Sequence, residues 1–443
     1  MKSTLRYGSN RPLSMLKFIT EIRDPVHGYI RITDLERQII DSNFLQRLRR
    51  IHQLAGAYLV YPGGVHTRFE HVLGTMHVAG LITQSLANRI SLDGDSMQEI
   101  RLAALLHDIG HGPFSHLFEE VLTEKTNLTH EDLSQRIVKK TVIKDILERN
   151  GISSKKMSDF CVGKLKGKPF LNEIIAGGLS ADIMDYLLRD SYFTGVEYGK
   201  VDIHRIVNSL DVVDEHLALD QAALYTFEAL LIARYEMFKA VYFHRTVRAA
   251  ELMLVHAMSL ADESLKLTDL SKIERYLKLT DEVVFEQLVE LKGSSANLKM
   301  ARKLAEEYRS RKLLKCSFEK LMQRKDRLVQ RIFNHKRFRG ELARDIAEKA
   351  KIEISNVYVD VPTTPSVPYT YAREELSSVT FVRHNTRGTH STKVPINELP
   401  LVGSITGFMD ILRIYTPARY RWRVSRVVES LLGEESFISR IST

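Results

Sequence analysis

The sequence predicts a mostly α protein: a helical bundle followed by a smaller α+β C-terminal region. Three observations predict it. Apolar residues recur at helical spacing through 72–90, 97–107 and 225–260. Turn-forming pairs such as Asp93-Gly94, Gly112-Pro113 and Asn150-Gly151 punctuate the helical stretches. Alternating, β-branched runs come late, at 352–361, 379–383 and 411–415. The expected division is a flexible N-terminus at 1–19, a helical core at 20–265, a charged helical region at 266–350 and an α+β region at 351–443.

Taken in order, 18–32 reads as short extended pieces around the turn at Asp24-Pro25. Residues 35–54 have helical periodicity, interrupted near 41–43, and 58–61 is short and β-like before the loop Pro62-Gly63-Gly64. A helix over 72–90 is followed by the central helix at 97–107. Thr129 reads as an N-cap with Asp132 three positions on, a variant capping box. His130 is then the first helical residue, expected to be exposed in the positive field of the helix end, which disfavours a charged imidazole. The helical pattern continues over 132–148. Residues 155–160 and 164–168 form a basic segment expected to be mobile, and 174–177 precedes a helix that carries Asp182. Residues 225–260 read as one long helix, and the Lys- and Arg-rich stretch 299–351 as solvated helix. After the three late strands and a loop at Pro362, Pro365 and Pro368, Thr416-Pro417 caps a last helix that stops at Gly433.

Composition narrows the partners. Lys plus Arg number 64 against 55 acidic residues, a formal charge of +9, which favours anionic partners such as nucleotides or nucleic acid. Cys161 and Cys316 are the only cysteines, so no disulfide framework is expected and a reducing compartment fits: cytoplasm, or nucleus in a eukaryote. No apolar signal core and no run of 18 apolar residues is present, so no membrane partner is expected.

The chemistry concentrates at LAALLHDIGHGPFSH, residues 102–116. Its apolar run ends on His107-Asp108 where Gly110 and Gly112-Pro113 open the backbone. A neutral imidazole beside a carboxylate suits a divalent metal such as Mn, Fe or Zn. Upstream stands HTRFEH, ending at His71, and downstream SADIMDYLLRD, with Asp182. A His, a His-Asp pair and a distant Asp on separate helices form the H…HD…D signature, and a bundle can bring one ligand from each helix to a shared interior site.

That signature resembles the HD phosphohydrolase superfamily. The stretches IRDPVHGYI, FLQRLRRIHQLAGAYLVYPGGVHTRFEHVLG, LLHDIGHGPFSH, LTHED, DIMDYLLRDSYFTG, KAVYFHRTVRAAELML and VYVDVP look like its deoxynucleoside triphosphate triphosphohydrolase branch, over roughly residues 20–425. The resemblance implies an HD-domain helical bundle in which His71, His107, Asp108 and Asp182 hold one divalent ion, Mn, Fe, Zn or Mg, with further Mg arriving on the triphosphate. It implies that His111, His116, His130 and Glu131 form the second catalytic group, with His130 protonating the leaving 5′-oxygen and Glu131 orienting it. Arg68 and Arg234 then bind phosphate, Gln53 and Asp190 hold the 3′-hydroxyl, and Tyr186, Tyr242 and Leu54 pack against sugar and base so that deoxyribose is preferred. Ile183 departs from the pattern, standing where the vertebrate member of the branch has a phosphate-binding lysine. Asp41, Gln46 and Arg49 match residues that read a guanine-nucleotide activator at subunit contacts, whereas Thr20 and Arg23 replace a lysine and an asparagine of that site. The implied partners are a dNTP substrate, a GTP, dGTP or dNTP activator and further copies of the chain, as dimer or tetramer. The implied activity is metal-dependent release of deoxynucleoside and inorganic triphosphate. Two alternatives stand beside it: another HD phosphohydrolase (phosphatase, phosphodiesterase or nuclease), and a basic nucleic-acid-binding protein with a vestigial site.

Overall fold

The computed structural model describes residues 16–87, 89–323, 336–361, 378–385, 388–399, 401–402 and 408–433. The chain opens on an antiparallel hairpin, β1 (Phe18–Asp24) and β2 (Gly28–Thr33). Helices α1 (Asp34–Ile40), α2 (Asn43–Gln46), α3 (Arg68–Leu86), α4 (Gly94–Leu106), α5 (His116–Thr126), α6 (His130–Lys140), α7 (Val142–Arg149), α8 (Ser154–Phe160), α9 (Pro169–Ala176), α10 (Ala181–Thr194) and α11 (Ile203–Asn208) follow. Next come β3 (Leu210–Val213), β4 (His216–Asp220), α12 (Leu224–Met237), α13 (Arg245–Leu265), α14 (Ile273–Tyr276), α15 (Asp281–Val289) and α16 (Ala296–Arg309). The last elements are β5 (Lys315–Gln323), α17 (Lys336–Lys349), β6 (Tyr358–Asp360), β7 (Ser378–Asn385), β8 (Gly388–Pro395), β9 (Phe408–Thr416) and α18 (Arg421–Leu432).

The centre of the bundle is α4. Ile100 to Leu106 are all buried: Leu102 to Leu106 are apolar on every side and have to sit between other helices, and the one charge, Arg101, is paired with Glu36 at 2.6 Å. It packs on α3, which also carries α10. Asp93 caps α4 by accepting from the Ser96 N–H. One apolar core runs from Ile30 through Leu304 and reaches Tyr415, so α13, α15 and α16 share it with the N-terminal helices. A smaller second core gathers Phe318, Leu342, Ile346, Leu412, Ile414, Val424 and Val428. Two small sheets flank these cores, in the strand orders β3-β4-β7-β8 and β5-β9-β6, with β4 and β7 parallel. The mostly α architecture with a smaller C-terminal α+β part is the one expected.

Several local expectations need correction. Residues 58–61 are not β-like: Ala55–Leu59 is a 3₁₀ turn, closed by bonds such as Ala57 N to Leu54 O at 2.9 Å. The 132–148 helix is two helices, because Thr141 is extended and its hydroxyl caps the next helix by accepting from Ile143 N. Residues 155–160 are helical, with Met157 and Phe160 in the core. The 225–260 helix is broken by a π turn at Phe238–Tyr242. The 299–351 region contains β5, which pairs antiparallel with β9. Only Tyr358–Asp360 of the 352–361 run forms a strand. The expected proline loop at 362–368 lies outside the described residues. Among the described residues, no helix is long and apolar enough to cross a membrane.

Candidate active site

His71 lies in the first turn of α3, His107 closes α4, Asp108 follows it, and Asp182 lies in the first turn of α10. The fold brings all four together. Nε2 of His71 is 3.1 Å from Asp182 Oδ1 and 3.7 Å from Asp108 Oδ2. Nε2 of His107 is 3.3 Å from Asp108 Oδ1 and 3.8 Å from Asp182 Oδ1. The other nitrogen of each imidazole is already committed: His71 Nδ1 lies 2.8 Å from Asp185 Oδ2, and His107 Nδ1 lies 2.7 Å from Ala104 O. With Nδ1 donating, each Nε2 is a lone-pair acceptor turned inward, and both are buried without a hydrogen-bond partner among the described residues. Two inward imidazole lone pairs and two carboxylates, with no thiolate, fit a hard or borderline divalent cation. Burial opposes a charge on His71, but the Asp182 and Asp185 carboxylates outweigh it and raise its pKa to about 10.

Behind His71 lies a buried network that sequence reasoning missed. Asp185 accepts from Arg189 through Nε at 2.9 Å and Nη2 at 2.8 Å, and bonds His27 Nε2 at 2.7 Å. Arg189 reaches on to Asp24 at 2.8 Å. Gly74 makes room for it: a Cβ there would stand 1.8 Å from Asp185 Oδ1. A signal was present, since Asp185 follows Asp182 by three residues, one helical turn.

The second group gathers beside the first. His111 Nε2 is 3.3 Å from Asp108 Oδ1. The His111 and His130 rings stack at 4.0 Å, and His116 stands edge-on to both. These three imidazoles also form a group that could hold an ion. His130 is indeed the first residue of α6, with the Thr129/Asp132 capping box formed. Its expected depressed pKa does not hold. Burial lowers it, but Glu119, whose Oε1 lies 2.7 Å from His130 Nδ1, outweighs burial and raises it. Glu119 in turn is held well below its ordinary range by His116 and His130, against the effect of burial. Burial with the Arg68 and His130 charges keeps His111 well below its ordinary value. The two stacked imidazoles are thus shifted in opposite directions, His130 up and His111 down. Glu131 lies with Lys164 at 2.9 Å, so the carboxylate that orients His130 Nδ1 is that of Glu119.

The loop carrying His116 is strained. Phe114 and Ser115 both adopt left-handed backbone, φ 59° and 58°. Asp281 at the start of α15 holds it, accepting from Phe114 N at 2.6 Å and from His52 N at 2.9 Å. Arg68 donates Nε to Ser115 Oγ at 2.7 Å and Nη1 to Asp108.

Two cavities meet at this centre. The one beside the metal-ligand candidates is bordered by Asp108, His130, Asp182 and Ile183, and among the described residues Arg68 and Arg234 are the only Lys or Arg side chains on its wall. The second, of about 320 Å³, is bordered by Leu54, Asp190 and Tyr242. Gln53, Arg68, His116, Tyr186 and Arg234 border both. Gln53 Oε1 and Arg234 Nε are buried without a hydrogen-bond partner among the described residues. Asp190 is engaged by Tyr242 OH at 2.6 Å and by His66 Nε2 at 2.7 Å, and Tyr186 meets Tyr242 edge-on at 6.3 Å. Apart from this centre, Arg49 donates to Gln46 at 2.9 Å, Gln46 donates to Ile40 O at 2.8 Å, and exposed Asp41 pairs with Arg37 at 3.4 Å.

The HD domain model matches residues 68–190, which hold all four metal-ligating candidates, and the HD associated region model matches 201–436. An uncharacterized protein of Methanocaldococcus jannaschii is 36% identical over 60% of this chain and 57% of its own length. The chain thus spans little more than half of that relative. The deoxynucleoside triphosphate triphosphohydrolase SAMHD1 of Bos taurus is 26% identical over 89% of this chain and 74% of its own. The crystal structure of a hypothetical protein from Aquifex aeolicus superposes with a TM-score of 0.73 at 29% identity, covering 92% of this chain and 99% of that one. With one family model over the ligand-bearing helices and another over more than half of the residues, the chain belongs to the HD-domain proteins that carry the HD-associated region.

Proposed function

We propose that this protein hydrolyses deoxynucleoside triphosphates to deoxynucleoside and inorganic triphosphate. One observation carries the reading. The cavity beside His71, His107, Asp108 and Asp182 and a second, more apolar cavity have Arg68, Tyr186 and Arg234 as common lining residues. A ligand with phosphate at one end and sugar and base at the other suits that pair. A divalent ion held by the four ligands supplies a Lewis acid for the α-phosphate.

The chain's own residues do the rest. Arg68 and the partnerless Arg234 Nε bind phosphate oxygens, and a guanidinium suits two at once. Water attacks the α-phosphorus, the bond to the 5′-oxygen breaks, His130, whose pKa Glu119 raises, gives a proton to that oxygen, and the water's surplus proton passes to solvent. General acid catalysis of this kind is worth roughly 10²–10⁴-fold. Gln53 and Asp190 hold the 3′-hydroxyl, and Tyr242 with Leu54 crowds C2′ so that ribose is disfavoured. Asp41, Gln46 and Arg49 read a guanine-nucleotide activator between copies of the chain.

The test is to incubate each dNTP with the protein and Mn²⁺ or Mg²⁺ and to separate the products by ion exchange. Deoxynucleoside with inorganic triphosphate is expected. Orthophosphate, pyrophosphate or a nucleoside monophosphate points instead to a different HD phosphohydrolase. Adding GTP or dGTP should raise both rate and particle mass by light scattering; no change in either removes the activator.

A further inference from the structure

The second cavity, of about 320 Å³, has an acidic end that no step above uses. Glu120, Arg248 and Glu251 border it, and none of them borders the cavity beside the metal-ligating residues. Arg248 is clamped from behind by Asp360 of β6, through Nε at 3.0 Å and Nη2 at 3.1 Å. Its remaining nitrogen, Nη1, bonds Glu120 Oε1 at 3.0 Å and Glu251 Oε2 at 3.3 Å. Three carboxylates therefore share one guanidinium. The second oxygen of Glu120 and of Glu251 makes no hydrogen bond among the described residues. Burial raises the Glu251 carboxyl to about 7 against the pull of Arg248, with Glu120 and Asp360 adding to the rise. The corner is short of N–H donors. Phe243, Val247 and Ala57 line the same cavity and give it the apolar walls that a flat ring needs.

We propose that this corner is a nucleobase subsite in which Glu120 and Glu251 select bases presenting adjacent N–H donors, guanine before all. The inference rests on the nucleotide reading above, which puts phosphate at the metal-ligating end and so leaves the base at this one. Guanine offers N1–H and N2–H side by side, which a carboxylate accepts in pairs. Thymine offers one N–H flanked by two carbonyl oxygens, which meet the carboxylates as like charge. Because Arg248 is held by Asp360, the acceptors are fixed before a ligand arrives.

The test measures kcat/KM for dGTP and dTTP with the full chain at pH 8, above the raised Glu251 value so that the carboxylate is the acceptor, and equilibrium dialysis of deoxyguanosine and thymidine at the same pH without metal. The wild type should prefer dGTP, and bind deoxyguanosine more tightly, by about tenfold or more, the scale of one charge-assisted hydrogen bond. Glu251→Gln, with one acceptor and one donor in place of two acceptors, should bring both ratios towards one while still melting cooperatively. If Glu251→Gln does not fold, Glu120→Gln is judged by the same ratios. Equal handling of the two bases by the wild type overturns the proposal, as does a folded variant with unchanged ratios or failure to bind either nucleoside. Preferred, Glu251-dependent binding of deoxyguanosine without release of triphosphate from any dNTP keeps the subsite and removes the hydrolysis reading instead.

Discussion

Asp185→Asn should be among the most damaging isosteric changes in this chain. Asp185 is fully buried and meets four donors with two oxygens: His27 and Arg189 on Oδ1, His71 and Arg189 on Oδ2. The amide keeps one acceptor and turns a donor towards two donors, so at least two charge-assisted bonds are lost. Arg189, also fully buried, then has Asp24 as its remaining anion. Hydrogen bonds to charged groups contribute about 1.5–3 kcal/mol each, and breaking a buried pair costs about 3–5 kcal/mol. We expect a loss of about 3–5 kcal/mol in urea unfolding by linear extrapolation. Burial works to raise the Asp185 pKa, but the Arg189 charge and the His27 and His71 bonds hold it well below its ordinary 3.8. Its stabilisation is therefore present above about pH 3.8 and lost as pH falls further, and the variant should lack that acid-dependent part. His71 also loses the acceptor that fixes its ring, so Mn²⁺ affinity should fall roughly 10–100-fold. A loss under about 1 kcal/mol with unchanged Mn²⁺ affinity would refute the reasoning.

Three further outcomes are expected. Glu119→Gln removes the carboxylate that raises His130, so the alkaline limb of the kcat–pH profile should move to lower pH; a profile left in place assigns the proton to another group. Asp182→Ala should lose bound metal and turnover together while the fold survives, read by elemental analysis and circular dichroism; metal retained at full occupancy contradicts the ligand set. Glu251, raised to about 7 from its ordinary 4.5, holds a proton in the folded state that the unfolded chain releases between those values. Stability should therefore fall by at most about 3 kcal/mol as pH rises through that window. Glu251→Gln should flatten the slope in thermal melts between pH 5 and 8, and an unaltered slope counts against it.

What the sequence showed and hid follows the range of the interactions. The cap of α6 was readable because it closes within three residues, Thr129 with Asp132, whereas Asp93, read only as part of a turn, caps α4. The HD ligands were readable because each sits at a helix end marked by its own neighbours. Strand β5 was not, because KCSFEKLMQ lies among lysines and arginines and its partner β9 is some ninety residues away. The run at 58–61 has strand-forming residues but closes on itself in 3₁₀ turns. The pairing of His130 with Glu119 crosses from α5 to α6, and no spacing rule reaches across that bend; the family resemblance pointed to Glu131 instead. The rise in the His130 pKa was hidden for the same reason, since the helix-end field was legible and the opposing carboxylate was not.

The grip of Asp281 on Phe114 and His52 has a consequence for biosynthesis. The residues that bear the chemistry are all translated by Tyr242, yet the loop presenting His116 is braced from a helix made some forty residues later. A nascent chain halted before Asp281 should therefore hold every reactive side chain and still be inert. Activity on the ribosome should switch on only once α15 clears the exit tunnel and docks.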